Sequence, residues 1–293
     1  MDNLTIAFIG LGQMGAPMAR NLLKGGYVVR GHDRDASVAA RFKDCVDFEW
    51  CDSAVEAVRG ADLLILMLPD SSIVDALLWD TGSALSREMK SGSLVIDMGS
   101  SDPMCSCDNA LRLRSMELGF IDAPVSGGVK KAEAGTLAIM IGGDAALVAR
   151  VRPVLELMGK TLTHVGNAGA GHAVKALNNY VSAAGLLAVC EALSAAKNFG
   201  IDPHLVNQVF NASTGKNNTT ENKVEAFMLS DAFNSGFALG LMKKDLQTAN
   251  RFIEKTKAAS RFSSECLQIW QAADGALGKG ADHTAMYKYI REQ

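Results

Sequence analysis

Lys175 and Asn179 stand four positions apart in a stretch otherwise rich in Ala, Val and Leu. On a helix this spacing puts both on one face, a proton donor beside an amide that can hold a polar group. Apolar neighbours strip water from an ammonium, which eases release of its proton and suits acid–base work. A surface lysine whose stem snorkels over apolar neighbours fits the same pattern. A second group, Ser126-Gly127-Gly128, ends the segment DAPVSGG. Two glycines after a small hydroxyl leave backbone N–H groups free, so this turn either holds a carboxylate without a full positive charge or simply reverses the chain.

A third group, Gly10-Leu11-Gly12-Gln13-Met14-Gly15, follows an apolar run and opens a helical stretch at 16–24 that stops at Gly25-Gly26. In that setting the glycines serve a tight turn, close approach of the backbone to a diphosphate, and close packing of helix on strand. A glycine turn alone is weak, but strand, turn, helix and second strand follow in the order a dinucleotide site requires. Asp33 ends the second strand, at 28–33, 18 positions after Gly15. An acid there accepts from both ribose hydroxyls of NAD and repels the extra phosphate of NADP. Arg34 beside it could stack on adenine, pair with that phosphate, or stand as a solvated charge, so NAD is expected and NADP stays open. Met67-Leu68-Pro69 and Gly99-Ser100-Ser101 are two more strand ends where a ligand of an open α/β sheet would sit, although ordinary loop chemistry explains them equally well.

Positioning these groups takes two kinds of scaffold. From residue 4 to about 165, short apolar runs at 5–10, 28–33, 63–68, 93–97, 120–123 and 137–141 alternate with segments of helical period. Such alternation predicts a parallel sheet covered by crossover helices, with 63–68 a central strand buried on both faces. Beyond that point strand signals stop: 173–199 reads as one long, largely buried helix, and further helical stretches follow at about 203–213, 219–230, 239–257 and 262–277. The expected fold is α/β: an N-terminal Rossmann domain over 1–165, then an all-helical domain over 166–293 that begins with a long interdomain helix.

Composition narrows the function. With 293 residues, 48% of them hydrophobic, the chain can bury full-sized cores. Lys plus Arg (29) nearly balance Asp plus Glu (32), so no chain-wide positive field favours a nucleic acid. No apolar run approaches the roughly 20 residues of a bilayer span, so no membrane association is expected. The start, MDNLTIAFIG, carries an acid where a secretory leader needs positive charge, which makes it a strand and the location cytoplasmic. Six cysteines without a CxxC pair read as free thiols of a reducing compartment, and Cys105 with Cys107 are too few for a metal site. Of the five histidines only His172 is near Lys175, three residues before it, where it either touches a substrate or caps the helix.

Together these segments resemble the β-hydroxyacid dehydrogenase family, which includes 3-hydroxyisobutyrate dehydrogenase and tartronate semialdehyde (2-hydroxy-3-oxopropionate) reductase. Four stretches carry the likeness in order along the whole chain: GLGQMGAPMARNLL, DAPVSGGVKKAEAGTLAIMIGG, GAGHAVKALNNY and FALGLMKKDL. The resemblance implies hydride transfer between NAD(H) and a small 3-hydroxy acid or its semialdehyde, without a metal, in a homodimer or homotetramer built through the helical parts. It implies that Lys175 is the catalytic acid/base, that Ser126, Gly127, Gly128 and Asn179 bind substrate, and that Lys244 and Asp245 stand on the cofactor side near the nicotinamide. Ser100 falls where the family usually has Thr, and Gly99 where it usually has Ser, so a hydroxyl for the cofactor is retained.

The resemblance also ranks the alternatives. 6-Phosphogluconate dehydrogenases share the phrase GAGHAVK, but their decarboxylation relies on a His and a Glu where this chain has Asn178 and Ser182. Imine reductases and non-catalytic cofactor-binding modules of this fold usually lack the lysine, so Lys175 argues against both. Two features bear on substrate: Lys130 and Lys131 follow the Ser126 turn, and they either read a second acidic group or are solvated. The polar stretch 214–220 belongs to a region that, by resemblance, closes over the substrate. Lys216, Asn217 and Asn218 there predict a polar, hydroxylated acid over a branched apolar one.

Overall fold

The structure is a computed structural model that describes residues 4–80, 82 and 84–293. The first three residues of the stretch read above as a strand rather than a leader lie outside the described residues. The chain divides into two compact units, the first ending at Lys175 and the second beginning at Ala176.

In the first unit the elements run β1 (Thr5–Ile9), α1 (Gly15–Lys24), β2 (Val28–His32), β3 (Phe48–Trp50), α2 (Ala54–Val58), β4 (Leu63–Leu66), α3 (Ser71–Trp79), α4 (Leu85–Glu88), β5 (Leu94–Asp97), α5 (Pro103–Arg114), β6 (Gly119–Asp122), β7 (Val125–Ser126), α6 (Gly128–Glu133), β8 (Leu137–Gly142), α7 (Ala145–Glu156) and β9 (Gly159–Gly166). Strands β3-β2-β1-β4-β5-β6 pair in that order, all parallel. This is the doubly wound order, whose direction reverses between β1 and β4 and opens a crevice at their carboxyl ends. Side chains alternate between two cores. Ile6, Phe8, Leu63 and Ile65 enter one, Ala7, Ile9, Leu64 and Leu66 the other, which is why β4 shows no polar alternation. Each such fully buried Leu, Ile or Phe contributes about 1.5–3 kcal/mol relative to exposure.

The expected all-parallel sheet holds for these six strands only. β8 runs antiparallel to β6 and β7, and β9 is parallel to β8. β6 stops at Asp122, and Pro124, which has no N–H to donate, separates it from the two-residue β7 that carries Ser126.

The second unit is helical. α8 (Ala170–Phe199) is followed by α9 (Pro203–Ala212), α10 (Asn218–Asn222), a π-helical turn at Val224–Met228, α11 (Leu239–Lys255), α12 (Arg261–Leu277) and α13 (Met286–Arg291). The single helix expected over 219–230 is thus broken after Asn222, and α13 is an addition. Leu186, Leu193, Met242, Trp270 and Tyr287 fill the core. Asp282 closes this unit by accepting from Ser235 Oγ (2.8 Å), Gly236 N (2.9 Å), Thr284 N (2.9 Å) and Thr284 Oγ1 (2.6 Å). Burial alone would raise its carboxyl, but hydrogen bonds from His283, Thr284 and Ser235 outweigh that and hold it well below the usual carboxylate range.

Contrary to the expectation that no run approaches membrane-spanning length, α8 is long and apolar enough to cross a bilayer, with a mean hydropathy of 1.3 over its best window. In the structure 44% of that window is buried, and Ala183, Leu186, Leu187, Cys190 and Leu193 pack into the second unit's core. The helix also begins at Ala170, three residues earlier than the apolar pattern at 173–199, because polar contacts described next hold its first turn.

Candidate active site

The three glycines of the first turn do different things. Gly10 has φ +95°, and a Cβ there would lie 2.3 Å from Met67 O; at Gly15 it would lie 1.8 Å from Gly10 O. Both are therefore demanded by the packing of β1 on β4 and of α1 on the turn. At Gly12 nothing lies within 4 Å of the added carbon. The fold has no need of glycine there, whereas a diphosphate approaching the backbone does, so the residues present fit a dinucleotide. Leu11, between them, donates its N–H to Asp33 Oδ2 (2.7 Å), and Asp35 N–H reaches Oδ1 (2.9 Å). The Asp33 carboxylate is thereby fixed at the end of β2 with a lone pair left on each oxygen for ribose hydroxyls. Gln13 and Arg34 are exposed, and Met14 is half-buried.

The loops after β4 and β5 stack on the same rim. A Cβ on Gly99 would lie 2.4 Å from Leu68 O, so the loop carrying Ser100 packs directly on Met67-Leu68-Pro69. This close approach explains a glycine at 99. Asp97, 1% exposed, holds the loop from below, accepting from Gly99 N (3.0 Å) and Ser101 Oγ (2.6 Å).

Asp122, at the end of β6, performs the matching task for the lysine helix. Fully buried, it accepts from Gly169 N (2.7 Å) and His172 N (2.8 Å), so one carboxylate captures the otherwise unpaired N–H groups at the start of α8. Burial pushes its carboxyl up, and the nearby His172 and the two backbone donors offset that only partly. Lys175 follows one turn later, half-buried. His172 neither opens to a substrate nor caps the helix with its side chain: its ring is buried, and Nδ1 shares a 2.7 Å hydrogen bond with Ser106 Oγ. In the Ser126 turn, Gly127 (φ +141°) and Gly128 (φ +71°) take conformations open to glycine, and the Lys131 stem folds over Gly127, its Cδ 2.7 Å from where a Cβ would stand.

In the second unit, Asn179 Nδ2 donates to Asp245 Oδ2 (2.6 Å), Asn178 Nδ2 donates to Asn179 Oδ1 (3.1 Å), and Lys244 Nζ lies 3.3 Å from Asp245 Oδ1. The amide of Asn179 is thus oriented by Asp245, a partner 66 positions away that no sequence spacing announced. Two of the three residues expected to read the substrate have local partners. Asn217 caps α10, accepting from Thr219 N and Thr220 N, and Lys216 pairs with Glu221 at 3.0 Å. Short polar side chains before a helix start satisfy its free N–H groups first. Among the described residues no group of three His, Cys, Asp or Glu could hold a metal, and the six cysteines are free thiols.

A doubly wound sheet with a diphosphate turn, an acid at the end of β2 and a lysine on the helix after the sheet define a nicotinamide-dinucleotide oxidoreductase. Comparison with known proteins sharpens this. Residues 5–166 match the NAD-binding domain of 6-phosphogluconate dehydrogenase, and 169–290 match the NAD-binding domain of NADP-dependent 3-hydroxyisobutyrate dehydrogenase. The 2-(hydroxymethyl)glutarate dehydrogenase of Eubacterium barkeri is 34% identical over 99% of this chain and 96% of its own. The NAD-dependent L-serine dehydrogenase of Pseudomonas aeruginosa is 35% identical over 91% of each. A solved structure of Mycobacterium tuberculosis 3-hydroxyisobutyrate dehydrogenase with L-serine has a TM-score of 0.90 and 34% identity, covering 98% of this chain and 99% of that one. The chain belongs to the β-hydroxyacid dehydrogenase family. It is an oxidoreductase that transfers a hydride between NAD(H) and a small hydroxy acid, with NADP as the alternative cofactor.

Proposed function

We propose that Lys175 moves the proton in this reaction and that the substrate is a small 3-hydroxy acid or its semialdehyde. The bound dinucleotide supplies the hydride acceptor at its nicotinamide. Ser126, Gly127 and Gly128 hold the substrate carboxylate through hydroxyl and backbone N–H groups, Asn179 holds the hydroxyl, and Lys175 takes the alcohol proton on oxidation and returns it on reduction. The turn Gly10 to Gly15 takes the diphosphate, Asp33 the ribose, Arg34 the adenine side, and Met67, Leu68, Pro69, Ser100, Lys244 and Asp245 the rest of the cofactor. Residues 1–165 thus form the cofactor domain, which also lends Ser126, Gly127 and Gly128 to the substrate, and 166–293 the substrate and assembly domain, which lends Lys244 and Asp245 to the cofactor.

The observation that carries the reading is the capture of the first turn of α8 by buried Asp122, which fixes the backbone from which Lys175 extends. The substrates named for the relatives above share a CH2OH on the carbon that bears the carboxylate, which supports a 3-hydroxy acid. With Asn217 and Lys216 engaged locally, preference for a polar acid rests on Asn218 and on the lysines beside the Ser126 turn. Exposed Val181, Leu205 and Val209 on α8 and α9 support a homodimer or homotetramer, and six free thiols support a cytoplasmic location.

Turnover of three- to five-carbon hydroxy acids and their semialdehydes with NAD and NADP tests the substrate, beside Lys175→Ala with NADH binding followed by fluorescence. Loss of turnover with NADH binding intact is expected; retained turnover overturns the role of Lys175.

A further inference from the structure

His172 belongs to a buried cluster that the reaction as described does not use. Its side chain is 0% exposed and lies between two carboxylates that are themselves buried: Nε2 is 3.9 Å from Asp97 Oδ2, and Nδ1 is 3.7 Å from Asp122 Oδ2. Ser106 Oγ, on α5, completes the setting at 2.7 Å from Nδ1. Nε2 has no hydrogen-bond partner among the described residues. An imidazole shut away with one nitrogen unsatisfied is a cost that an apolar side chain of similar size would avoid, so packing alone does not account for a histidine here.

The two flanking carboxylates point to what it does. Asp97 carries the loop Gly99–Ser101 on its oxygens, and that loop stands at the cofactor rim. Asp122 carries the first turn of α8 through Gly169 N and His172 N. The imidazole lies where both carboxylates act on it, and its attraction is among the influences that hold the Asp122 carboxyl down against burial. His172 is also one helical turn before Lys175.

We propose that His172 is a positioning residue: held by Ser106 and flanked by Asp97 and Asp122, it locks the cofactor-side loop and the first turn of α8 into one rigid unit and so fixes the reach of Lys175. This rests on the reading of Lys175 as the proton-transfer group. Misplacing a reacting group by about 1 Å costs about 10²-fold in rate.

The test compares wild type with His172→Leu, His172→Asn, Ser106→Ala and Lys175→Ala, using the substrate with highest turnover. Expected for His172→Leu is a kcat fall of about 10²-fold, a shifted pH profile of kcat, and NADH affinity unchanged by fluorescence titration. His172→Asn, whose amide nitrogen stands near the position of Nδ1, restores most of the rate. Ser106→Ala leaves the ring in place and shifts the pH profile in the same direction, which keeps the test open should His172→Leu not fold. An unchanged kcat and pH profile in both His172→Leu and Ser106→Ala overturns the proposal. So does a rate loss matched by equal loss of NADH binding with the pH profile unmoved. Should Lys175→Ala retain turnover, the proton-transfer reading itself fails and the proposal with it. A dead Lys175→Ala beside a normal His172→Leu removes the proposal alone.

Discussion

Each unit is closed by an aspartate that captures backbone N–H groups from a distant segment, yet Asp122 is fully buried and Asp282 only partly, and their carboxyls shift in opposite directions. Asp282 receives side-chain hydroxyls as well as backbone donors and is held well below the usual carboxylate range. Asp122 receives two backbone donors while fully buried, and burial wins, raising it. A carboxylate that gathers enough donors is a fastener with a net gain. One that gathers fewer is held in place by the rest of the fold, an arrangement tolerable where the element it secures must be exact for another reason. In the first unit that element is the turn before Lys175.

The largest effect should come from Asp282→Ala. It strands at least four donors between the segment before α11 and the segment before α13, and should cost about 3–5 kcal/mol in denaturant unfolding. Asp122→Asn should cost less stability, about 1–3 kcal/mol, because it removes a buried charge along with one good acceptor. It should nevertheless lower kcat by about tenfold or more as the first turn of α8 loosens. A larger stability loss at Asp122 than at Asp282 would break the contrast between the two.

Acid titration sharpens the same contrast. The depressed carboxyl of Asp282 lends stability that is present above the ordinary value of 3.8 and is lost as pH falls below it toward the folded value. The raised carboxyl of Asp122 works in reverse: its ionisation weakens the fold as pH climbs from 3.8 through its folded value, so acid relieves that strain. Asp282→Asn should therefore flatten the stability profile below pH 3.8 and Asp122→Asn the part just above it, measured by urea midpoints from neutral pH downward. An identical change of shape in both variants would show that the two sites do not differ in kind.

The smallest effect on folding belongs to Gly12→Ala. With nothing within 4 Å of the new carbon, stability should stay within about 0.5 kcal/mol of wild type while NADH affinity falls, read by fluorescence titration. Gly15→Ala, whose Cβ would meet Gly10 O at 1.8 Å, should instead unfold or distort the turn. Equal behaviour of the two would refute the division of labour among the glycines.

The features that were readable in the sequence are those whose physics is local. Gly10 to Gly15, Asp33 and the apolar runs of β1, β4 and β5 announce themselves because strand, turn and helix follow within about thirty residues. β3 and β7, three and two residues long, are too short for the apolar pattern to mark. The π-turn after Asn222 has no period of its own to detect. What could not be read at all is the shell behind the site: Asp122 reaches 50 positions to His172, Ser106 reaches 66, and Asp245 reaches 66 to Asn179. Those partners are chosen by the sheet order and by helix packing, and single residues carry no mark of them. Asn217 is ambiguous for a local reason, since a side chain that caps a helix and one that meets a ligand have the same composition.

The open space beside Gly12 also has a genetic consequence. A selection that scores only abundance or solubility of this protein would find codon 12 silent for small residues, while codons 10, 15 and 99 would be strictly constrained. A selection that scores turnover would see all four. The difference between the two maps would outline the cofactor's footprint from mutation alone.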